Sequence, residues 1–284
     1  MRALFDVGDQ SADFLRPAGE AALVSPDSVS WRVFKNPLSL FIGGVAAVIM
    51  ELAEPRVRTG VWEHTTFRID PFRRLRRTGL AAMVTIYAAR GAAEAMIARV
   101  RRMHDSVADS TPAGKVYRAN DPELLNWVQS TAAYGFLQAY HAYVRPLSDL
   151  ERDRYYAEGI LAASLYGASA STSEAALEMR FATMSDRLER SDILFEFLAI
   201  MRSAPILPLP LRPVQPLLIR AAVDLTPPWL QTIVGLTEHG LNAWEAGMVR
   251  QIGAFADRLV LETNPAVQAC RRMRLSPNYL FVQR

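Results

Sequence analysis

A chain of 284 residues, half of them apolar, has material for a large core, which excludes disorder for most of its length. Its basic side chains are arginines apart from Lys35 and Lys115, and they are nearly balanced by acids, giving a net charge of +3. That balance, with no aromatic-rich basic stripe, excludes a nucleic-acid-binding surface, and a lone Cys270 excludes an internal disulfide and any cysteine-based metal cluster.

Helical periodicity dominates from one end to the other, so the expected fold is all-α: a single multi-helix globular domain over residues 35–284, preceded by an N-terminal extension, 1–34. Acidic residues interrupt the first segment where a secretory signal needs a continuous apolar run, so a cytoplasmic location is expected. Pro37 opens a helix to about Glu51, and Pro55 a short one to about Trp62, because proline is tolerated in a first turn. The apolar window Leu38–Met50 is 13 residues long, short of the roughly 20 that cross a bilayer. It reads as a buried helix, and peripheral membrane contact stays compatible with the sequence. Gly43-Gly44 inside it suits close helix packing.

Asp70-Pro71 starts a helix ending near Ala89. The next spans about Ala92 to Val107, with Ala93, Ile97, Val100, His104 and Val107 on one face, so His104 points inward. Residues 109–119 form a loop rich in Ser, Thr, Pro and Gly. Asn120-Asp121-Pro122-Glu123 begins a long helix to Val144. Ser148–Glu151 and Ser171–Glu174 read as capping boxes for helices to about Leu165 and Leu188. A helix over about Asp192–Arg202 follows, then a proline-interrupted connector from Pro205 to Pro228. Helices over about Pro228–Gly235, Gly240–Glu262 and Pro265–Met273 close the chain.

The sequence lacks a G-x-S-x-G elbow, an H-E-x-x-H pair, a Walker loop and a Rossmann glycine signature. No zinc-type spacing joins His64, His104, His141 and His239. An inward imidazole on a rigid helix is one way to present a nitrogen to haem iron, which singles out His104; a core histidine bonded to a carbonyl explains the same pattern. His141 shares an apolar face with Tyr134, Leu137 and Val144 and competes on equal terms. Trp62–Thr78 carries five arginines, and within it Arg74, Arg77 and Thr78 fall within about one turn, so a guanidinium and a hydroxyl could meet one ligand; a solvated basic face is the alternative. Glu63 beside His64 is either a proton acceptor near a substrate or an exposed helix end. Met83, Met96 and Met103 read as core filling.

Taken in order, Gly43-Gly44-x-Ala46, Pro55 to Phe67 with its Glu63-His64 pair, D-P-x-x-R-L-x-x-T at Asp70–Thr78, M-H-x-x-V at Met103–Val107 and N-D-P-E-L-L-x-W-V at Asn120–Val128 resemble the latex-clearing rubber oxygenases and the mycophenolic-acid-pathway oxygenase. The similarity covers roughly residues 35–240. The resemblance implies an all-α domain with a buried haem b pocket, His104 as the proximal iron ligand, Arg74 and Thr78 at the cofactor, and Glu63 with Thr78 in catalytic roles. Two departures stand out: Gln129 and Glu54 occupy positions where the family often has histidine. Glutamine keeps hydrogen-bonding capacity without an imidazole to ligate iron or shuttle protons.

The function expected on these grounds is a haem b-dependent oxidoreductase, an oxygenase taking O2 and an apolar isoprenoid or lipid-like substrate. The alternatives are a haem- or lipid-binding helical protein without turnover, and a helical interaction protein that has lost its cofactor.

Overall fold

A computed structural model describes residues 12–282. Helix α1 (Val29–Phe34) is capped by Ser28 and buries Val29, Trp31 and Val33 completely. Phe14 and Val24 join the same core, so the described part of residues 1–34 is packed into the domain rather than appended to it. Helices α2 (Pro37–Ala53) and α3 (Pro55–Glu63) follow, each with proline in its first turn. Asn36 caps α2 through its side chain; Glu54 caps α3 by accepting from the Arg56 and Val57 amides. The two helices meet at 113°, and no single helix is long and apolar enough to cross a membrane.

Asp70 caps α4 (Pro71–Tyr87), whose C-terminal half supplies Leu80, Met83, Val84, Ile86 and Tyr87 to the core. Its first two turns stay outside that core. Helix α5 (Arg90–Asp105) buries Ala93 and Ile97, and the residues expected as a loop contain a small antiparallel hairpin, β1 (Ala108–Ser110) with β2 (Val116–Arg118). Gly114, at φ +79°, makes the turn there. The long helix α6 runs Pro122–Tyr143.

The remaining helices are α7 (Asp149–Glu158), α8 (Ile160–Tyr166), α9 (Glu174–Met184), α10 (Asp192–Ser203), α11 (Gln215–Leu225), α12 (Pro228–Val234), α13 (Ala243–Ala256), α14 (Pro265–Arg272) and the one-turn α15 (Tyr279–Val282). Ser148 and Glu151 form the expected capping box of α7. At α9 the cap is Ser173, not Ser171. The proline-rich connector is a 3-10 turn over Leu209–Val214, and α11 then begins with Pro216 in its first turn. The expected connector to Pro228 therefore overlooked a helix whose Leu218, Ile219, Ala221, Ala222 and Val223 are buried.

Helices α2 and α6 are the most extensively packed pair in the molecule. Their backbones approach so closely that a Cβ at Gly43 would lie 2.6 Å from the Gly135 carbonyl oxygen. The Gly43-Gly44 pair thus serves helix packing, as its place in an apolar helix implied. Helix α11 packs on α2, and α13 closes against α6.

Candidate functional site

The space beside the α2–α6 pair is a cavity of about 1220 Å³, bounded by α2, α4, α5, α6 and the α7–α8 segment. It exceeds the ~300–1,000 Å³ of ordinary small-molecule sites, so it has room for a large planar group together with a second molecule. Most of its wall is apolar: Phe41, Val48, Val100, Val107, Ala132, Ala133 and Phe136 all contribute. Small residues on α6 leave the volume open where larger ones would fill it.

Arg74, Thr78 and His104 all line this cavity. The first two come from the part of α4 outside the core, where the Arg74 guanidinium donates to the Thr78 hydroxyl one turn on. His104 comes from the last turn of α5. Its helical face continues from the buried Ala93 and Ile97 to Val100 and Val107, which share the cavity wall with it. Burial holds the imidazole below its usual pKa, with a weaker opposing pull from Asn120 and a further lowering by the Arg74 charge. The ring is therefore neutral at pH 7 and keeps a lone pair. Asn120 donates through Nδ2 to Asp105 at 2.6 Å, and its buried Oδ1 has no fully formed hydrogen bond. That oxygen beside the ring can orient one imidazole nitrogen by taking its proton, which leaves the other for a ligand.

His141 and His64 are committed elsewhere, while His239, outside the cavity, packs edge-on against Phe195 with its buried Nδ1 unpartnered. His141 Nδ1 accepts from the Leu147 amide at 3.0 Å, a satisfied structural role. His64 is exposed and meets Asp109 at 3.3 Å. Its neighbour Glu63 does not line the cavity; it belongs to a separate depression with Arg58, Thr59 and Asp109. The structure thus does not bring Glu63 to Arg74, Thr78 and His104. Thr78, by contrast, stands beside Arg74 on the cavity wall.

Two residues enter that the sequence did not single out as functional. Glu51, the one acid of α2, is half-buried and lines the cavity. Burial pushes its carboxyl up from 4.5 to about 7, opposed by the Arg74 charge and by Thr131 of α6. Among the described residues no ion pair joins Glu51 to Arg74; they act on one another through space, and burial holds Arg74 below the usual guanidinium value. The second is Arg76, which sequence reasoning did not distinguish from its neighbouring arginines. It lines the cavity with Nε and Nη2 buried and without partners, its guanidinium 5.2 Å from the Phe72 ring. Helical phase hid both: Glu51 looked like the polar end of an apolar window, and Arg76 like one charge among five.

The two positions that depart from the family pattern have different fates. Glu54 is buried and pairs with Arg56 at 2.6 Å while capping α3, so its role is structural. Gln129 lines the cavity, its Oε1 buried and unpartnered.

The domain is thus all-α and holds one large, mainly apolar cavity into which His104, Glu51 and Arg74 project. Residues 31–258 match the family described as ER-bound oxygenase mpaB/B′/rubber oxygenase, catalytic domain, and the chain belongs to it. No curated protein and no solved structure matches the chain significantly. Family membership makes this an oxygenase-type catalytic domain, with O2 and an organic substrate as its reactants.

Proposed function

We propose that the protein is a haem b-dependent oxygenase acting on an apolar isoprenoid or lipid-like substrate, with His104 as the protein ligand to iron. The observation that carries this reading is the convergence of His104, Arg74 and Thr78, from two helices, on one large apolar cavity. The donor set fits the group. Among the described residues no cluster of three or more His, Cys, Asp or Glu side chains could hold a bare metal ion, whereas porphyrin-bound iron needs a single axial imidazole.

Bound haem would supply the redox chemistry with dioxygen. The residues supply position and protons. His104, its pKa lowered by burial, would hold the iron, and Arg74, hydrogen-bonded to Thr78, would present its guanidinium fork to a carboxylate of the cofactor. Glu51 can hold or release a proton at its carboxyl oxygen near neutral pH. Ala132, Ala133 and Phe136 give the chamber an apolar wall that matches an apolar chain.

Expression with supplied haem tests the reading: a Soret band is expected in the native protein and not in His104→Ala, with the helical signal unchanged. A native protein that takes up no haem, together with a His104→Ala variant of equal stability, would overturn it. Gln129 in place of an imidazole favours one second reading, a haem or lipid binder without turnover. Consumption of O2 with polyisoprenoid or lipid substrates separates the two.

A further inference from the structure

Arg76 lines the chamber with Nε and Nη2 buried, and neither nitrogen has a hydrogen-bond partner among the described residues. The Phe72 ring, 5.2 Å from the guanidinium carbon, attracts the charge but offers neither N–H an oxygen. Burying charged donors without an acceptor is costly, so these two atoms mark a place where a ligand supplies what the fold does not. The pair also specifies the ligand. Nε and Nη2 lie along one edge of the guanidinium, where their N–H bonds run side by side, and two parallel donors match the two oxygens of a carboxylate. A hydroxyl would accept from one nitrogen and leave the other bare, and an ammonium would be repelled.

The surroundings agree. Among the described residues the chamber wall carries six arginines against two acids, Asp13 and Glu51, so its sign favours an anion. Arg76 is two positions from Arg74, about 200° round a helix of about 3.6 residues per turn, so the two leave α4 on opposite sides. A cofactor carboxylate at Arg74 therefore leaves the Arg76 edge open. Phe72, Leu80 and Met83 share the helical face of Arg76 and line the same chamber, an apolar track for a chain behind the headgroup. We infer that the cavity takes a carboxylic acid with a long apolar body, its carboxylate held by the Nε–Nη2 edge of Arg76. This names the substrate class of the chamber and rests on the reading of that chamber as a substrate site, but not on haem.

The test is calorimetric titration of the full chain at neutral pH, haem-free and haem-supplemented, with octanoate, 1-octanol, octylamine and octyl phosphate. A bidentate charge-assisted pair is worth a factor of about ten or more, so octanoate should bind at least about tenfold tighter than the alcohol or the amine, and octyl phosphate no tighter than octanoate. Arg76→Met keeps an apolar stem over Phe72 and removes the edge. It should bring octanoate down to the affinity of 1-octanol, leave 1-octanol unchanged and leave the Soret band in place. Arg76→Lys keeps the charge without the edge, and serves if the methionine variant does not fold; it should bind octanoate more weakly than the wild type does. Equal binding of octanoate and 1-octanol, an octanoate preference that survives either variant intact, or tighter binding of octyl phosphate overturns the inference. So does loss of octanoate binding when haem is taken up, which would give the Arg76 edge to a carboxylate of the cofactor. A wild-type protein that prefers octanoate but takes up no haem overturns the haem assignment alone.

Discussion

Glu51 shows how far a single position can be moved by its surroundings. A carboxyl on an exposed helix end titrates near 4.5, and in the wall of this cavity it titrates near 7, because the charged form has lost its water. The folded value lies above the unfolded one, so the stabilisation is fully present below about 4.5. It declines as pH rises through that window and is lost above about 7. Each unit is worth about 1.4 kcal/mol, so the native fold should be roughly 3 kcal/mol less stable at pH 8 than its other groups alone would make it. Glu51→Gln should remove this slope and be the more stable protein at pH 8; parallel denaturant titrations of the two proteins from pH 4.5 to 8 check it. Glu54, three residues on, is the contrasting case. It is paired and capping, and Glu54→Ala leaves two helix amides without an acceptor and Arg56 with Glu123 alone, with an expected loss of about 2–3 kcal/mol in the denaturant midpoint analysis.

At the scale of elements, the contact of α2 with α6 sets the geometry of everything around the cavity. Gly43 and Gly135 face one another across it with no room for a side chain. Gly43→Ala must push the helices apart, and overpacking of this kind costs about 1–3 kcal/mol. Because Glu51 and Gln129 ride on these two helices, the same substitution should also deform the cavity, and a weaker Soret band on titration with haem checks it. The early part of α4 has the opposite character. Its Phe72–Gly79 stretch contains no fully buried residue, although Phe72 and Leu75 pack against the core, and Arg74 and Arg76 line the cavity from it. Legibility followed this division. Helices with a cap and a clear apolar face were visible in the sequence: α2, α4, α5 and the start of α7 fall close to where caps and periodicity put them, whereas the single helix expected to about Leu165 breaks at Gly159 into α7 and α8. Helix α11 was hidden, because prolines around its start read as a connector although Pro216 occupies a position that tolerates it. The β1–β2 hairpin was hidden too, three residues per strand being too short for alternation to register.

At the scale of the whole molecule, the sequence by itself determined the fold class, the family pattern and three cavity residues, because these rest on local signals. Helical period marked His104 as inward, and the spacing of Arg74 and Thr78 put them on one turn. Only the tertiary structure decided which of the charged residues share a chamber. Glu63 and Glu51 are twelve positions apart at the ends of successive helices. The 113° bend between those helices sends the first to a separate depression and leaves the second in the wall of the main cavity. Nothing in the period of either helix encodes that bend. The same holds for Gln129 against Glu54, two departures from one family pattern that become a cavity wall and a helix cap. Proximity between helices depends on the packing of all of them at once, and it is this packing that makes a carboxylate at the edge of an apolar window into an interior acid.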